Sequence, residues 1–237
     1  SRNTPTLKVW HLVSQNKEDP FQALLTPNQT LLSFHETDSV TPFEKTMAEI
    51  NTKTLFCGNY SEGIFREAGC KNVGSFDIGW DEDFQKNAKK YLDTVHYGIV
   101  GKREFRKNTE GIIKAWIKKY GNSRNHSLTC LITNPFLSPE DNQRIVANIL
   151  NGKRVWNVSF LPHIKTNAEM CDFYNAIDID LSGASFSESW GIPAFTATGL
   201  GKWSVVNNFG GHKAWANSDN SVLLESDGMQ DCYDGVF

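Results

Sequence analysis

Short apolar runs, each followed by an amphipathic stretch, recur along almost the whole chain, and this alternation is the strongest constraint on its fold. Strands alternating with helices assemble into parallel sheets with helices packed on their faces. Strands are predicted at LKVWHLV, TLLSF, TLFCGN, NVGSFDI, VHYGIVG, LTCLIT, VSFLPH, AIDIDLSG, KWSVVNN and SVLLES. Between them lie helices with recognisable ends. PFEKTMAEIN starts behind Pro42 with Glu44 in its first turn, and SEGIFREAG stops at Gly69, a residue that readily takes the left-handed turn closing a helix. KNTEGIIKAWIKKYG puts Ile112, Ile113, Trp116 and Ile117 on one side, a core face at helical period. SPEDNQRIVANILNG carries Ser138 as N-cap and Pro139 at the first helical position. NAEMCDFYNA precedes the AIDIDLSG strand.

The chain has 237 residues, enough for two modest α/β domains that each bury a core. The polar segment DEDFQKNAKKYLD is the natural divide, giving expected domains over residues 1–93 and 94–237. No short-period repeat or low-complexity tract points to a solenoid or a disordered chain.

Charge and cysteine usage exclude several roles. With 24 Lys and Arg against 27 Asp and Glu, net −3, the chain has no broad positive field for a nucleic-acid backbone or an anionic membrane. Cys57, Cys70, Cys130, Cys171 and Cys232 are odd in number and widely spaced, which suggests neither a disulfide framework nor a zinc site. No apolar run approaches the roughly 20 residues of a membrane span, and SRNTPTLKVW has no apolar signal core. A soluble protein of a reducing, cytoplasmic compartment is the expectation.

Three stretches could carry chemistry. In SFSESWGIPAF, Glu188 precedes a helix start at Trp190, Gly191 and Ile192, with Pro193 in the first turn. Backbone N–H groups at such a start attract anions, so a carboxylate able to hold sugar hydroxyls adjoins a phosphate cradle. The alternative is a carboxylate that merely favours the helix dipole. In GIVGKREFRKNTEG, Lys102, Arg103, Arg106 and Lys107 crowd a strand-to-helix loop. Four cations at a helix start oppose its dipole; a bound diphosphate would resolve the conflict, and a solvated basic turn is the plainer reading. Asp178 and Asp180 form a D-x-D on one strand face, either a divalent-metal site or a structural pair. GASFS lacks the second glycine of a hydrolase nucleophile turn.

The Glu188 segment with SWGIPAFT, the GKREFRKN loop, and NNFGG after the next strand together resemble the donor-binding domain of retaining nucleotide-sugar glycosyltransferases of the GT-B fold, group 1. SFHETDSVTPFEKTMAEINTKTLFCGNYSEGIFREAGCKNVGSFDIGWDEDF resembles the second half of the acceptor domain of that family. The resemblance implies two Rossmann-like parallel-sheet domains facing across a cleft, a partial acceptor-side one over 1–93 and a donor-binding one over 94–237. It implies a nucleotide-diphosphate sugar as co-substrate, with no cofactor and no metal. The basic pair on the diphosphate falls on Arg103 and Lys107, or on Lys102 in place of Arg103. Glu188 falls where the family holds donor-sugar hydroxyls, and Trp190, Gly191 and Ile192 line the sugar and distal phosphate. His35 could touch the sugar, although a lone histidine is more often structural; the same holds for His163 and His212, and for Trp10, Trp190 and Trp215 as stacking residues.

The chain departs from the pattern in three ways. Thr196 stands where the second glutamate of the E-x7-E motif binds ribose. The glycine-rich first loop of the acceptor domain and the terminal helices are absent from this sequence, as in a compact variant, a protein completed by a partner chain, or one from which those pieces were removed. The implied reaction is transfer of a sugar to an acceptor hydroxyl with retention. The acceptor remains open among glycan, lipid, protein, small molecule and modified nucleic acid. Rival readings are a same-fold epimerase or hydrolase, a non-catalytic nucleotide-sugar-binding or assembly subunit, and a structural α/β domain.

Overall fold

The computed structural model describes residues 4–12, 24–87 and 93–231. The end of the first expected strand, part of the polar divide and Cys232 lie outside the described residues. The remaining predicted strands and helices are all present, arranged in two fully parallel sheets.

The first sheet has the order β1 (Thr6–Val9), β2 (Gln29–Ser33), β3 (Lys53–Cys57), β4 (Val73–Phe76). Helices α1 (Pro42–Glu49) and α2 (Asn59–Glu67) connect its later strands. The start of α1 is set by a reciprocal capping box: Glu44 N–H donates to Thr41 Oγ1, and Thr41 N–H donates to Glu44 Oε2 at 2.8 Å, which satisfies two otherwise orphaned donors. Leu31, Phe56, Phe65 and Val73 form the core of this half.

The second sheet contains β5 (Val95–Val100), β6 (His126–Leu131), β7 (Val158–Phe160), β8 (Ile179–Gly183), β9 (Trp203–Asn207) and β10 (Ser221–Leu224), ordered β10-β9-β8-β5-β6-β7. Chain progress runs outward from β5 to β7 through α3 (Thr109–Tyr120) and α4 (Pro139–Leu150), then crosses back along α5 (Asn167–Ala176) to β8 beside β5. Helix α6 (Ile192–Gly199) links β8 to β9, and a 3-10 turn, Gly210–Ala214, links β9 to β10. That turn was not foreseen from the sequence. The α3 stripe read from helical period is the observed core face: Ile113, Trp116 and Ile117 pack with Ile99, Leu128 and Cys130. A second cluster, Phe173, Tyr174, Ile177, Ala197 and Leu200, fills the opposite side under α5 and α6.

Reversal of strand order at β5 and β8 creates a crevice at their carboxyl ends, the place where open α/β sheets bind ligands. The loops that diverge there are 101–108, leading to α3, and 184–191, leading to α6. They are the two stretches singled out above.

Candidate active site between the two sheets

The two loops are tied together by backbone before any side chain is considered: Phe186 N–H donates to the Arg106 carbonyl at 2.8 Å. Asn108, at φ 50, turns the first loop into α3 without a side-chain cap. The resulting geometry delivers Lys107 Nζ to Glu188 Oε1 at 2.5 Å, and Arg106 Nη1 to Glu188 Oε2 at 3.2 Å. Glu188 is buried. Burial works against its charged form, yet the facing charges of Lys107 and Arg106 overcome this and hold the carboxyl below its ordinary range. Glu188 is therefore an anion with a fixed orientation.

Arg106 is the hub. Besides Glu188 it meets Glu36 Oε2 at 3.1 Å and Glu104 Oε1 at 3.2 Å, and its Nη1 donates to the Ser187 carbonyl at 2.8 Å. Glu36 comes from the segment after β2, so Arg106 clamps the second sheet to the first. Ser187 Oγ adds a hydrogen bond to the Glu36 carbonyl, Tyr60 stacks edge-on against Phe209 at 5.0 Å, and Gly58 lies against the Trp190 ring. Carboxyl ends of strands from both sheets thus face each other. Burial raises the Glu36 carboxyl to about 7, against the pull of Arg106 and with the push of Glu188.

The Glu188 turn is supported from behind by the 3-10 segment. Gly211 N–H donates to the Glu188 carbonyl at 2.8 Å, and Trp215 Nε1 donates to the Trp190 carbonyl at 2.9 Å. A side chain at Gly211 would run into the Ser189 carbonyl, and one at Gly191 into the His212 ring. Gly191, at φ 76, is the N-cap of α6, and no side chain caps that helix start. Its positive end is turned to the crevice, with Ile192 54 % exposed there. Lys102, Lys107, Glu188, Trp190, Gly191 and Ile192 line a common hollow of about 370 Å³, with Glu36 and Arg106 on its wall. That size suits a small-molecule site.

Each predicted residue can now be placed. Lys107, Glu188, Trp190, Gly191 and Ile192 converge on the hollow, and Lys102 joins them, paired to Glu104 Oε2 at 3.1 Å. Arg103 turns instead to Glu110 on α3, with Nη2 at 3.1 Å from Oε2. Thr196 is buried on α6, away from the hollow's lining. His35 is also buried: its Nε2 lies 3.0 Å from the Ser39 carbonyl and its ring packs edge-on against Phe65. The D-x-D carboxylates serve the backbone, Asp178 accepting from His96 N–H and Asp180 from Ser182 N–H. Among the described residues no group of His, Cys, Asp and Glu is arranged to hold a metal ion.

Sequence reasoning missed Glu36, Glu104 and the central role of Arg106. It left the cation cluster without an internal counter-charge; the structure supplies one, because Glu104, Glu110, Glu36 and Glu188 each meet a cation of the loop. Glu104 and Glu110 are local and could have been paired from spacing. Glu36 is brought in only by the apposition of the sheets.

Fold and site together define the class: a GT-B fold, two Rossmann-like parallel sheets facing across a cleft whose polar centre lies at the strand-order reversal. No protein-family model and no curated protein matches the sequence. Among solved structures, the chain is similar to HepE from Anabaena, solved in complex with UDP and glucose, at TM-score 0.67 and 16% identity over 84% of this chain and 59% of HepE. It is similar to a glycosyltransferase from Rickettsia africae at TM-score 0.67 and 12% identity, over 93% of this chain and 63% of that one. A sucrose-phosphate synthase from Thermosynechococcus elongatus matches at TM-score 0.63 and 16% identity, over 85% and 56% respectively. The chain therefore spans a little over half the length of these relatives, and at such identities the likeness speaks to fold. Among the described residues no helix is long and apolar enough to cross a membrane.

Proposed function

We propose that the chain carries the active-site cleft of a retaining, metal-independent glycosyltransferase that moves a sugar from a nucleotide diphosphate to an acceptor hydroxyl. The observation that carries this reading is the meeting of Lys107 and Glu188 at 2.5 Å beside an uncapped helix start, on one hollow. Separated, or facing different surfaces, the two groups could not serve one substrate. Glu188 is the acceptor for donor-sugar hydroxyls. Lys107 has three N–H donors, one of them spent on Glu188 Oε1, and the others are available to a phosphate. Lys102 takes the second cationic position, because it lines the hollow whereas Arg103 is held by Glu110. The backbone of Trp190, Gly191 and Ile192 receives the distal phosphate.

In the reaction the bond between the anomeric carbon and the phosphate oxygen breaks, and its electron pair leaves with the diphosphate. The acceptor oxygen bonds to the same face of the sugar, and its proton passes to a phosphate oxygen. Negative charge grows on the leaving group in the transition state, so cations placed beforehand favour that state over the ground state. Glu36 lies on the wall of the hollow at the border of the two sheets.

The test has two arms. Thermal midpoints are measured with a panel of nucleotide sugars, UDP-glucose first; a bound donor raises the midpoint. The stabilising donor is then incubated with and without acceptor hydroxyls, and the anomeric configuration of the product is read by NMR. Stabilisation followed by transfer with retention supports the proposal. Donor turnover without an acceptor favours the epimerase or hydrolase reading, binding without turnover favours the binding subunit, and no stabilisation by any donor removes the proposal.

A further inference from the structure

With its Lys, Arg and Glu side chains ionised, the hollow beside Glu188 carries no net charge. Three cations line it, Lys102, Arg106 and Lys107, and so do three carboxylates, Glu36, Glu104 and Glu188. All six are paired: Lys102 with Glu104 at 3.1 Å, Lys107 with Glu188, and Arg106 with Glu36 at 3.1 Å and with Glu104 and Glu188 at 3.2 Å. A diphosphate brings further negative charge into this balanced set. Repulsion between charges in a partly buried site is weakly screened by solvent and salt, and one proton on a carboxylate relieves it.

The geometry singles out the carboxylate that gives way. Glu188 meets two cations, Lys107 and Arg106, and Glu104 also meets two, Lys102 and Arg106. Among the described residues Glu36 meets Arg106 alone, and it shares that guanidinium with the other two carboxylates. Arg106 holds its Oε2, which leaves Oε1 for a proton. The further charged neighbours of Glu36 are Lys107 at longer range, Glu104 and Glu188, while His11 lines the same hollow and Asp38 follows on its own segment. Burial, opposed by Arg106 and Lys107 and aided by Glu188 and Glu104, already holds the Glu36 carboxyl at about 7 in the free protein, and an added anion raises it further. We propose that Glu36 takes a proton from solvent onto Oε1 when a nucleotide sugar binds, so that donor and proton enter the site together. The three cations then face two carboxylates, and one positive charge in excess is left for the phosphates. This inference rests on the nucleotide-sugar reading of the hollow and adds how that site accommodates the charge of its ligand.

Isothermal titration calorimetry of the full chain with a panel of nucleotide sugars, UDP-glucose first, counts the protons. The diphosphate of such donors is a diester with no titration of its own near neutrality, so the pH dependence belongs to the protein. At pH 8, binding heats measured in HEPES and in Tris, whose ionisation heats differ, should reveal uptake of about half to one proton. Affinity should be level below pH 7, where Glu36 is already protonated, and fall by up to about tenfold per unit above it. Glu36→Gln, neutral at every pH, should bind without proton uptake and with level affinity from pH 6 to pH 9, and His11→Gln should keep the uptake. The wild-type measurement stands whether or not the variants fold. Uptake that survives Glu36→Gln, or that disappears in His11→Gln, would assign the proton elsewhere and overturn the proposal. Donor binding at pH 8 with no uptake would overturn it while leaving the donor site intact; no binding of any donor across this pH range would remove both.

Discussion

Arg106→Met tests the central electrostatic claim most directly. The arginine side chain is 8 % exposed and meets Glu188 at 3.2 Å, Glu36 at 3.1 Å and Glu104 at 3.2 Å, with a further hydrogen bond to the Ser187 carbonyl at 2.8 Å. Burial opposes the guanidinium charge, and the three carboxylates more than offset it. Methionine keeps much of the volume and removes the charge, leaving Glu188 and Glu36 facing each other with Lys107 alone. Breaking a buried ionic group by deleting one partner costs about 3–5 kcal/mol. At roughly 2–4 °C per kcal/mol for a chain of this size, the midpoint should fall by roughly 6–20 °C. The assay is differential scanning calorimetry at pH 8 and pH 6. The loss should be smaller at pH 6, where Glu36, already raised to about 7 by burial, takes up a proton. Combining Arg106→Met with Glu36→Gln should recover part of the loss, as contacting groups couple by about 0.5–3 kcal/mol. A loss below about 1 kcal/mol, far under the range for a buried partner deletion, would refute the reasoning. So would strict additivity of the two substitutions.

Further expectations follow from the same geometry. Glu36→Gln should stabilise the protein relative to wild type as pH rises from 5 to 8: between the ordinary 4.5 and the folded value of about 7 the native state holds a proton the unfolded chain has released, so wild type loses up to about 3 kcal/mol over that interval. Urea titrations at the two pH values check this, and parallel curves would contradict it. His212 acts in the opposite sense, since burial lowers it from 6.5 to about 4; its stabilising contribution fades as pH falls through that window, and His212→Phe should flatten the acid limb of wild type. Gly191→Ala, at φ 76 and against the His212 ring, should destabilise by at least about 1–2 kcal/mol from the left-handed backbone alone, with donor binding weakened in calorimetry. Lys107→Ala should lower turnover about 10²-fold or more, as for the loss of one oxyanion donor, and unchanged turnover would remove Lys107 from the reaction.

What could be read from the sequence was local. Strand and helix positions follow from apolar periodicity, and helix starts from residues such as Pro42 and Ser138, because both depend on interactions within a few residues. The Glu188 helix start and the basic loop stood out for the same reason: a carboxylate beside Gly191 and Pro193, and four cations before α3, are visible at short range. Tertiary structure decided which charges meet. Arg103 and Arg106 belong to one short loop, yet one is held by Glu110 on the adjoining helix and the other clamps Glu36 across the cleft. Spacing could have paired Arg103 with Glu110, but the hold of Arg106 on Glu36 depends on the facing of two sheets. His35 and Glu36 divide in the same way, the first packed on Phe65 and the second turned to the hollow. Secondary structure is written in short-range pattern, whereas the partners of a buried charge are set by strand order and by the low-dielectric space that order encloses.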